Sequence, residues 1–215
     1  MTTKYIFDFQ STGSVGPDIL GGKGFGLSKM TQIGIPVPPG FVVSTDACKV
    51  FYDHGNTLTD EFWQDFDTQL TVVERQTGKK FGGSVNPLLL SVRSGAPISM
   101  PGMMDTILNI GLNDESVLAL AKSSGNRHFA FDSYRRLVQM YGEVVEGIDK
   151  RVFEGVMTLV LDKELAGSPI ELSEHGLVEL VGNFKTAFEK YVGKPFPQDP
   201  HEQLHRCVMA VFESW

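Results

Sequence analysis

The hydrophobic pattern of this 215-residue chain changes period near residue 113. Before that point apolar residues come in short runs punctuated by Gly and Pro. After it they recur at spacings of three and four. Short runs bounded by breakers suit strands, and a three-four repeat suits one face of a helix. The pattern predicts an α/β (α+β) chain: an α/β part over 1–112, a helical part over 113–194 and a return segment over 195–215.

Within the first part, Tyr5, Phe7 and Phe9 mark a strand. A helix is predicted over 18–34, with Leu27, Met30 and Ile33 on its buried face and Gly34 at its end. The run from Gly40 to Thr45 reads as a second strand, and Ser44 or Thr45 can cap a helix reaching Tyr52. Thr59 caps the next helix, whose stripe is Phe62, Phe66, Leu70 and Val73, and Gly78 ends it. Leu88-Leu89-Leu90-Ser91-Val92 reads as a buried strand, and Thr106-Ile107-Leu108-Asn109-Ile110 as another. In the helical part the stripes are Phe131, Tyr134, Val138, Tyr141, Val145, Ile148; then Val152, Val156, Leu159; then Leu177, Leu180, Phe184, Phe188, Tyr191. After the Pro-rich break Gly193-Lys194-Pro195-Phe196-Pro197, Pro200 opens a last helix with the stripe Leu204, Val208, Val211, Trp215.

Charge and composition exclude several functions. Lys and Arg number 19 against 26 Asp and Glu, a net charge of −7. A general nucleic-acid binder usually carries a basic surplus, so no nucleic-acid partner is expected. No window approaches 18 apolar residues, and the first residues lack a signal-peptide core, so no membrane partner and a cytoplasmic location are expected. Cys48 and Cys207 stand far apart and outside any CxxC pair, which fits two reduced thiols.

The 23 glycines are a surplus, and the densest cluster is Gly21-Gly22-Lys23-Gly24-Phe25-Gly26. Glycine lets a backbone approach a ligand closely and aim its N–H groups at phosphate oxygens, and Lys23 adds a cation. The cluster fits neither familiar template. A Walker A loop needs Gly at 17 and Ser or Thr at 24, where Pro17 and Gly24 stand, and the dinucleotide fingerprint lacks its later Gly. The plain alternative is a flexible turn with a solvated Lys. A second candidate is Ser91-Val92-Arg93-Ser94-Gly95 with the following Gly, Pro and Met residues. An Arg at a strand end can hold a phosphate, and a pair of Met side chains can form an apolar wall for a flat ring. The alternative is a snorkelling Arg beside core-filling Met residues.

Two further strings carry less. His201-Glu202-Gln203-Leu204-His205 has the HExxH form of zinc proteases. Pro200 puts its first His in the first turn of a helix, and no later His is available as a third ligand. A solvent-facing helix edge accounts for it. Arg127-His128 and Arg135-Arg136 are read as a solvated helical face, with Asp132 and Gln139 in range to pair with Arg135.

The order of several strings resembles the N-terminal part of the pyruvate phosphate dikinase family across essentially the whole chain. These strings are Leu20-Gly21-Gly22-Lys23-Gly24, Leu90-Ser91-Val92-Arg93-Ser94-Gly95-Ala96, Phe129-Ala130-Phe131-Asp132-Ser133-Tyr134-Arg135-Arg136 and Ala210-Val211-Phe212-Glu213-Ser214-Trp215. The run Ser99-Met100-Pro101-Gly102-Met103-Met104-Asp105-Thr106 is the most specific. The resemblance implies a partial ATP-grasp-type nucleotide-binding domain with an inserted all-helical subdomain. It implies a parent reaction in which ATP, phosphate and pyruvate become AMP, pyrophosphate and phosphoenolpyruvate through a phosphohistidine carrier. Lys23 and Arg93 carry over as catalytic contacts to the ATP phosphates. Gly22, Gly24, Met104, Asp105 and Thr106 carry over as nucleotide-binding positions, with Met104 against the adenine.

The resemblance also implies magnesium, held by acidic ligands outside these residues, and the remaining domains of the parent as partners. None of the five His residues sits in the carrier motif. Pro97 stands where many family members have a basic residue, and Phe25-Gly26 replaces smaller or polar ones. A chain of this extent alone is expected not to turn over. The alternative to a dikinase fragment is a stand-alone nucleotide-binding or regulatory module, with the zinc protease as a minor third reading.

Overall fold

A computed structural model describes residues 4–94 and 106–214. Helix dominates, as eight α-helices and six short strands among the described residues, so the mixed class expected from the sequence holds. The chain divides into two compact units. One contains the chain up to Gly78, Arg93 and the stretch from Val211. The other contains Lys79–Val92 and Thr106–Ala210.

The first unit is built on an antiparallel pair, β1 (Ile6–Asp8) and β2 (Phe41–Val43), in register Ile6 to Val43 and Asp8 to Phe41. Helix α1 (Pro17–Gln32) lies against β2, and α3 (Asp60–Thr77) against β1. The α3 reading is accurate in detail. Thr59 accepts a hydrogen bond from the Phe62 N–H at 3.3 Å, and Gly78 ends the helix in the left-handed region. Phe62, Phe66, Leu70 and Val73 are all buried, with Phe66 edge-on to Phe41 at 5.0 Å. Helix α2 (Thr45–Asp53) is capped by Ser44, whose side chain accepts from the Ala47 N–H. At the chain's other end, the Tyr52 hydroxyl donates to the Phe212 carbonyl at 2.8 Å.

Helix α1 departs from its expected stripe. Met30 is 36% exposed and Ile33, just past the helix, 73%. The buried residues are Leu20, Gly21, Gly24 and Ser28. Leu20 joins Val42 in the core, with Ile19, Phe25 and Leu27 packed against it, and the helix backbone also meets β2 directly at Gly24. A Cβ at Gly24 would lie 2.8 and 2.9 Å from the two methyl carbons of Val42. Val42 is β-branched and buried, so it has little freedom to yield. Gly24→Ala is expected to lower stability by about 1–2 kcal/mol, because overpacking outweighs the gain in helix propensity. In a Val42→Ala background the same change is expected to be neutral or stabilising. Urea unfolding of the two pairs checks this, and equal losses in both backgrounds would refute the contact as the cause.

In the second unit, β3 (Lys80–Phe81) pairs in parallel with β4 (Pro87–Leu88), and β5 (Leu90–Arg93) pairs with β6 (Thr106–Ile110). The single buried strand expected over 88–92 is thus two strands. Leu89, Leu90 and Val92 are only half-buried, because a two-stranded ribbon leaves one face open. Helix α5 (Arg127–Val144) is central. It packs against β6, α4 (Ser116–Ser124) and α7 (Glu174–Val192), and α6 (Lys150–Glu164) packs on α7. In α6 the buried residues are Phe153 and Val160, and Leu159 is 72% exposed, so its predicted stripe is displaced.

The Pro-rich break after α7 is anchored by Phe196, whose ring meets Tyr134, Tyr141 and Phe188 at 6.1, 5.4 and 5.4 Å. Helix α8 (Pro200–Glu213) follows, and Leu204, Val208 and Val211 are buried as expected. Trp215 lies outside the described residues. Among the described residues no helix is long and apolar enough to cross a membrane.

Candidate functional site

The glycine cluster of the first unit is not a loop. It lies within α1, and the chain leaves helical geometry at one residue, Gly21, with φ 66° and ψ 162°. That positive φ is costly for any residue with a Cβ and open to glycine. The helix therefore starts twice, once at Pro17 and again after Gly21. A second start leaves the N–H groups of its first turn without helical partners. By that rule the first of those groups are the N–H groups of Gly22 and Lys23.

The turn is exposed on one side and anchored on the other. Gly22 and Lys23 are exposed, and a Cβ at Gly22 would meet nothing within 4 Å. Gly24 is buried against Val42, in a core of Phe7, Phe9 and Leu20. Its position in the cluster is thus required by packing, independent of any ligand. Lys23 sits where the helix dipole is positive, which disfavours a cation and favours an acid. Two glycines beside it weaken the helix further. A turn that gives up local stability to gather N–H groups and a cation is suited to an anion such as phosphate.

The other predicted residues fall as follows. Arg93 ends β5, is exposed and belongs to the first unit, as Lys23 does. Among the described residues, no carboxylate forms an ion pair with either. Thr106 begins β6, half-buried, and belongs to the second unit. Met104 and Asp105 lie outside the described residues.

The remaining candidates have structural roles. Arg135, read as part of a solvated face, is only 7% exposed. It donates to Asp132 at 2.9 and 2.7 Å and to Gln139 at 3.1 Å, so the expected pairing is present but inside the packed helices. Its neighbour Arg136 stays exposed and pairs with Asp132 at 2.8 Å. In the HExxH string His201 is exposed, in the first turn of α8, with its N–H held by the Asp199 carboxylate at 2.8 Å. The middle residue, Gln203, is fully buried. It accepts from the Gly111 N–H at 3.0 Å and donates to the Leu112 and Pro197 carbonyls at 3.0 and 2.7 Å. Both cysteines are buried, and burial pushes each thiol up from its ordinary range, opposite to the shift that activates a thiolate.

Sequence reasoning missed Thr45. The adjacent hydroxyls of Ser44 and Thr45 were equivalent candidates for one cap. Ser44 makes the cap, and the Thr45 hydroxyl instead donates to the Asp18 carbonyl in α1 at 2.7 Å. The signal was present as one hydroxyl more than the cap needs.

Residues 17–69, which hold this turn, match the family described as "Pyruvate phosphate dikinase, AMP/ATP-binding domain". Over 210 residues the chain is 43% identical to the pyruvate, phosphate dikinase of Entamoeba histolytica, covering 98% of this chain and 24% of that protein. The Clostridium symbiosum enzyme of the same name is 44% identical over 213 residues, 99% of this chain and 24% of its own length. The chloroplastic pyruvate, phosphate dikinase 1 of Zea mays is 45% identical over 218 residues, 100% of this chain and 23% of its own length. The chain spans about a quarter of the length of these curated relatives. The sequence is similar to the pyruvate phosphate dikinases along nearly all of its length, and residues 17–69 match their AMP/ATP-binding domain.

Proposed function

We propose that this chain forms the ATP-binding part of a pyruvate phosphate dikinase, a cytoplasmic phosphotransferase. The parent reaction converts ATP, phosphate and pyruvate to AMP, pyrophosphate and phosphoenolpyruvate through a phosphohistidine carrier on another domain. The observation that carries this reading is the second helix start at Gly21, followed by the exposed Gly22 and Lys23, inside the stretch matched by an AMP/ATP-binding domain.

In this reading Lys23 and Arg93 bind the ATP phosphates and neutralise the charge that develops as a phosphoryl group leaves. Lys supplies a compact charge on a flexible stem, and Arg a planar fork that matches two phosphate oxygens. Gly22 and Gly24 shape the phosphate turn. Met104, Asp105 and Thr106 are the nucleotide-binding positions that the family likeness carries over, Met104 as the adenine contact. The architecture is a partial ATP-grasp domain, with 1–112 as its α/β nucleotide-binding subdomain, 113–194 as an inserted helical subdomain and 195–215 leading back. The packing of Phe212 against Phe51 and Tyr52 supports that last point. Magnesium accompanies the ATP, held by acidic groups of the parent outside these residues, and the parent's other domains are the partners.

Calorimetric titration with ATP tests the reading. Saturable binding that is lost in the Lys23→Ala, Arg93→Ala variant supports it, and no heat of binding from a folded chain would refute it.

A further inference from the structure

The break at Gly21 has a cost on its upstream side. In an uninterrupted helix the Asp18 carbonyl accepts from the N–H of residue 22. With Gly21 at φ 66° and ψ 162°, the next peptide turns away, and the carbonyls before the break lose their helical donors. One is supplied from outside the helix. The Thr45 hydroxyl, on the first turn of α2, donates to the Asp18 carbonyl at 2.7 Å across 27 positions of sequence. At the far end of α1 the Gln32 amide donates to the buried Thr12 hydroxyl at 2.9 Å. Both contacts lie within the first unit. Between them α1 rests on Val42 through Gly24.

We infer that Thr45 is a positioning residue for the phosphate turn: its hydroxyl holds the short first piece of α1 in the broken geometry that presents the Gly22 and Lys23 N–H groups. Two conformations compete here. A straight helix recovers its internal hydrogen bonds and closes the turn, and the broken one opens the turn. A donor to Asp18 from another element favours the broken form, because there it supplies a carbonyl that has lost its helical donor, whereas in the straight form it only adds a second bond to one already made. The hydroxyl is not needed for the α2 cap, which Ser44 makes, and Thr45 is only half-buried, so its removal leaves no cavity. Thr45 touches no ligand in this account and acts through Asp18. The inference rests on the nucleotide reading for its function but not for its geometry.

The test compares the unaltered chain with Thr45→Val, which keeps shape and loses the hydroxyl, and Thr45→Ser, which keeps the hydroxyl. Amide spectra without nucleotide report the turn, and ATP titration reports its use. Thr45→Val is expected to shift the Gly22 and Lys23 amides and raise the ATP dissociation constant about three- to tenfold, the range set by one hydrogen bond. Thr45→Ser is expected to restore both, with melting temperatures alike in all three. Thr45→Ala serves in the same role if the Val variant does not fold. Unmoved amides overturn the inference, as do moved amides with unchanged affinity. If the unaltered chain binds no ATP, the nucleotide reading fails, and the amides alone then judge the strut.

Discussion

Replacing Lys23 and Arg93 together with Ala is expected to weaken ATP binding by at least roughly a hundredfold, because charge-assisted hydrogen bonds contribute about 1.5–3 kcal/mol each and the two act on one polyphosphate. Each single change is expected to account for part, with coupling between them if both side chains meet the same phosphates. Binding of the unaltered chain should fall steeply with added salt and that of the double variant much less, since fewer exposed charges remain to be screened. Neither side chain is buried, so the melting temperature should barely change. Lys29 is the control. It lies on the same helix, near Phe25 and Gln32, and its replacement should leave ATP affinity as it was. Equal affinity in the double variant would remove both residues from the site.

The largest loss of stability is expected at Gln203. Gln203→Leu leaves the Gly111 N–H and the Leu112 and Pro197 carbonyls without their partner in a buried place. Each orphaned group costs about 1 kcal/mol or more, so about 3 kcal/mol in all. For a chain of this size that is a fall of roughly 6–12 °C in melting temperature. Gln203→Glu should be worse, because an acceptor-only carboxylate would face two carbonyl oxygens. Glu202→Ala, one position away on the exposed side of α8, should change stability by less than about 0.5 kcal/mol. Thermal denaturation followed by circular dichroism separates these outcomes. A Gln203→Leu chain as stable as the original would mean that other donors and acceptors replace the side chain. The same result bears on the HExxH string. Its middle residue ties two backbone groups of the turn after β6 and one of the Pro-rich break to α8.

What the sequence made legible depends on where its apolar side chains carry the packing. Helix α3 shows its stripe, its Thr59 cap and its Gly78 stop directly, because large side chains form its interface. Helix α1 hides part of its interface, because beside Leu20 and Leu27 the contact is made by Gly24, and periodicity of side chains says nothing of a backbone laid on Val42. In α6 the residues Val152 and Val156 compete with Phe153 and Val160 for the stripe, and the position of α7 decides between them. The ion pair of Arg135 was readable from its spacing, but its burial was not, since that follows from neighbours on both sides of α5. At the candidate site, spacing alone fitted no phosphate template, and the family resemblance singled out Lys23 and Arg93. The break at Gly21 lay beyond both, because a local φ leaves no trace in residue order.

Phe196 bears on the order in which the second unit assembles. Its ring has no surface to bury against until Tyr134 and Tyr141 of α5 stand beside Phe188 of α7. The α5–α7 pairing closes a long loop first, and the search for that contact is the slow, entropically expensive event. Once it is made, the segment carrying Phe196 follows α7 directly in the chain, so its docking needs little further search. Helix α8 is thereby expected to dock late, on a scaffold already formed, with the backbone groups that Gln203 gathers brought together in the last stage of folding.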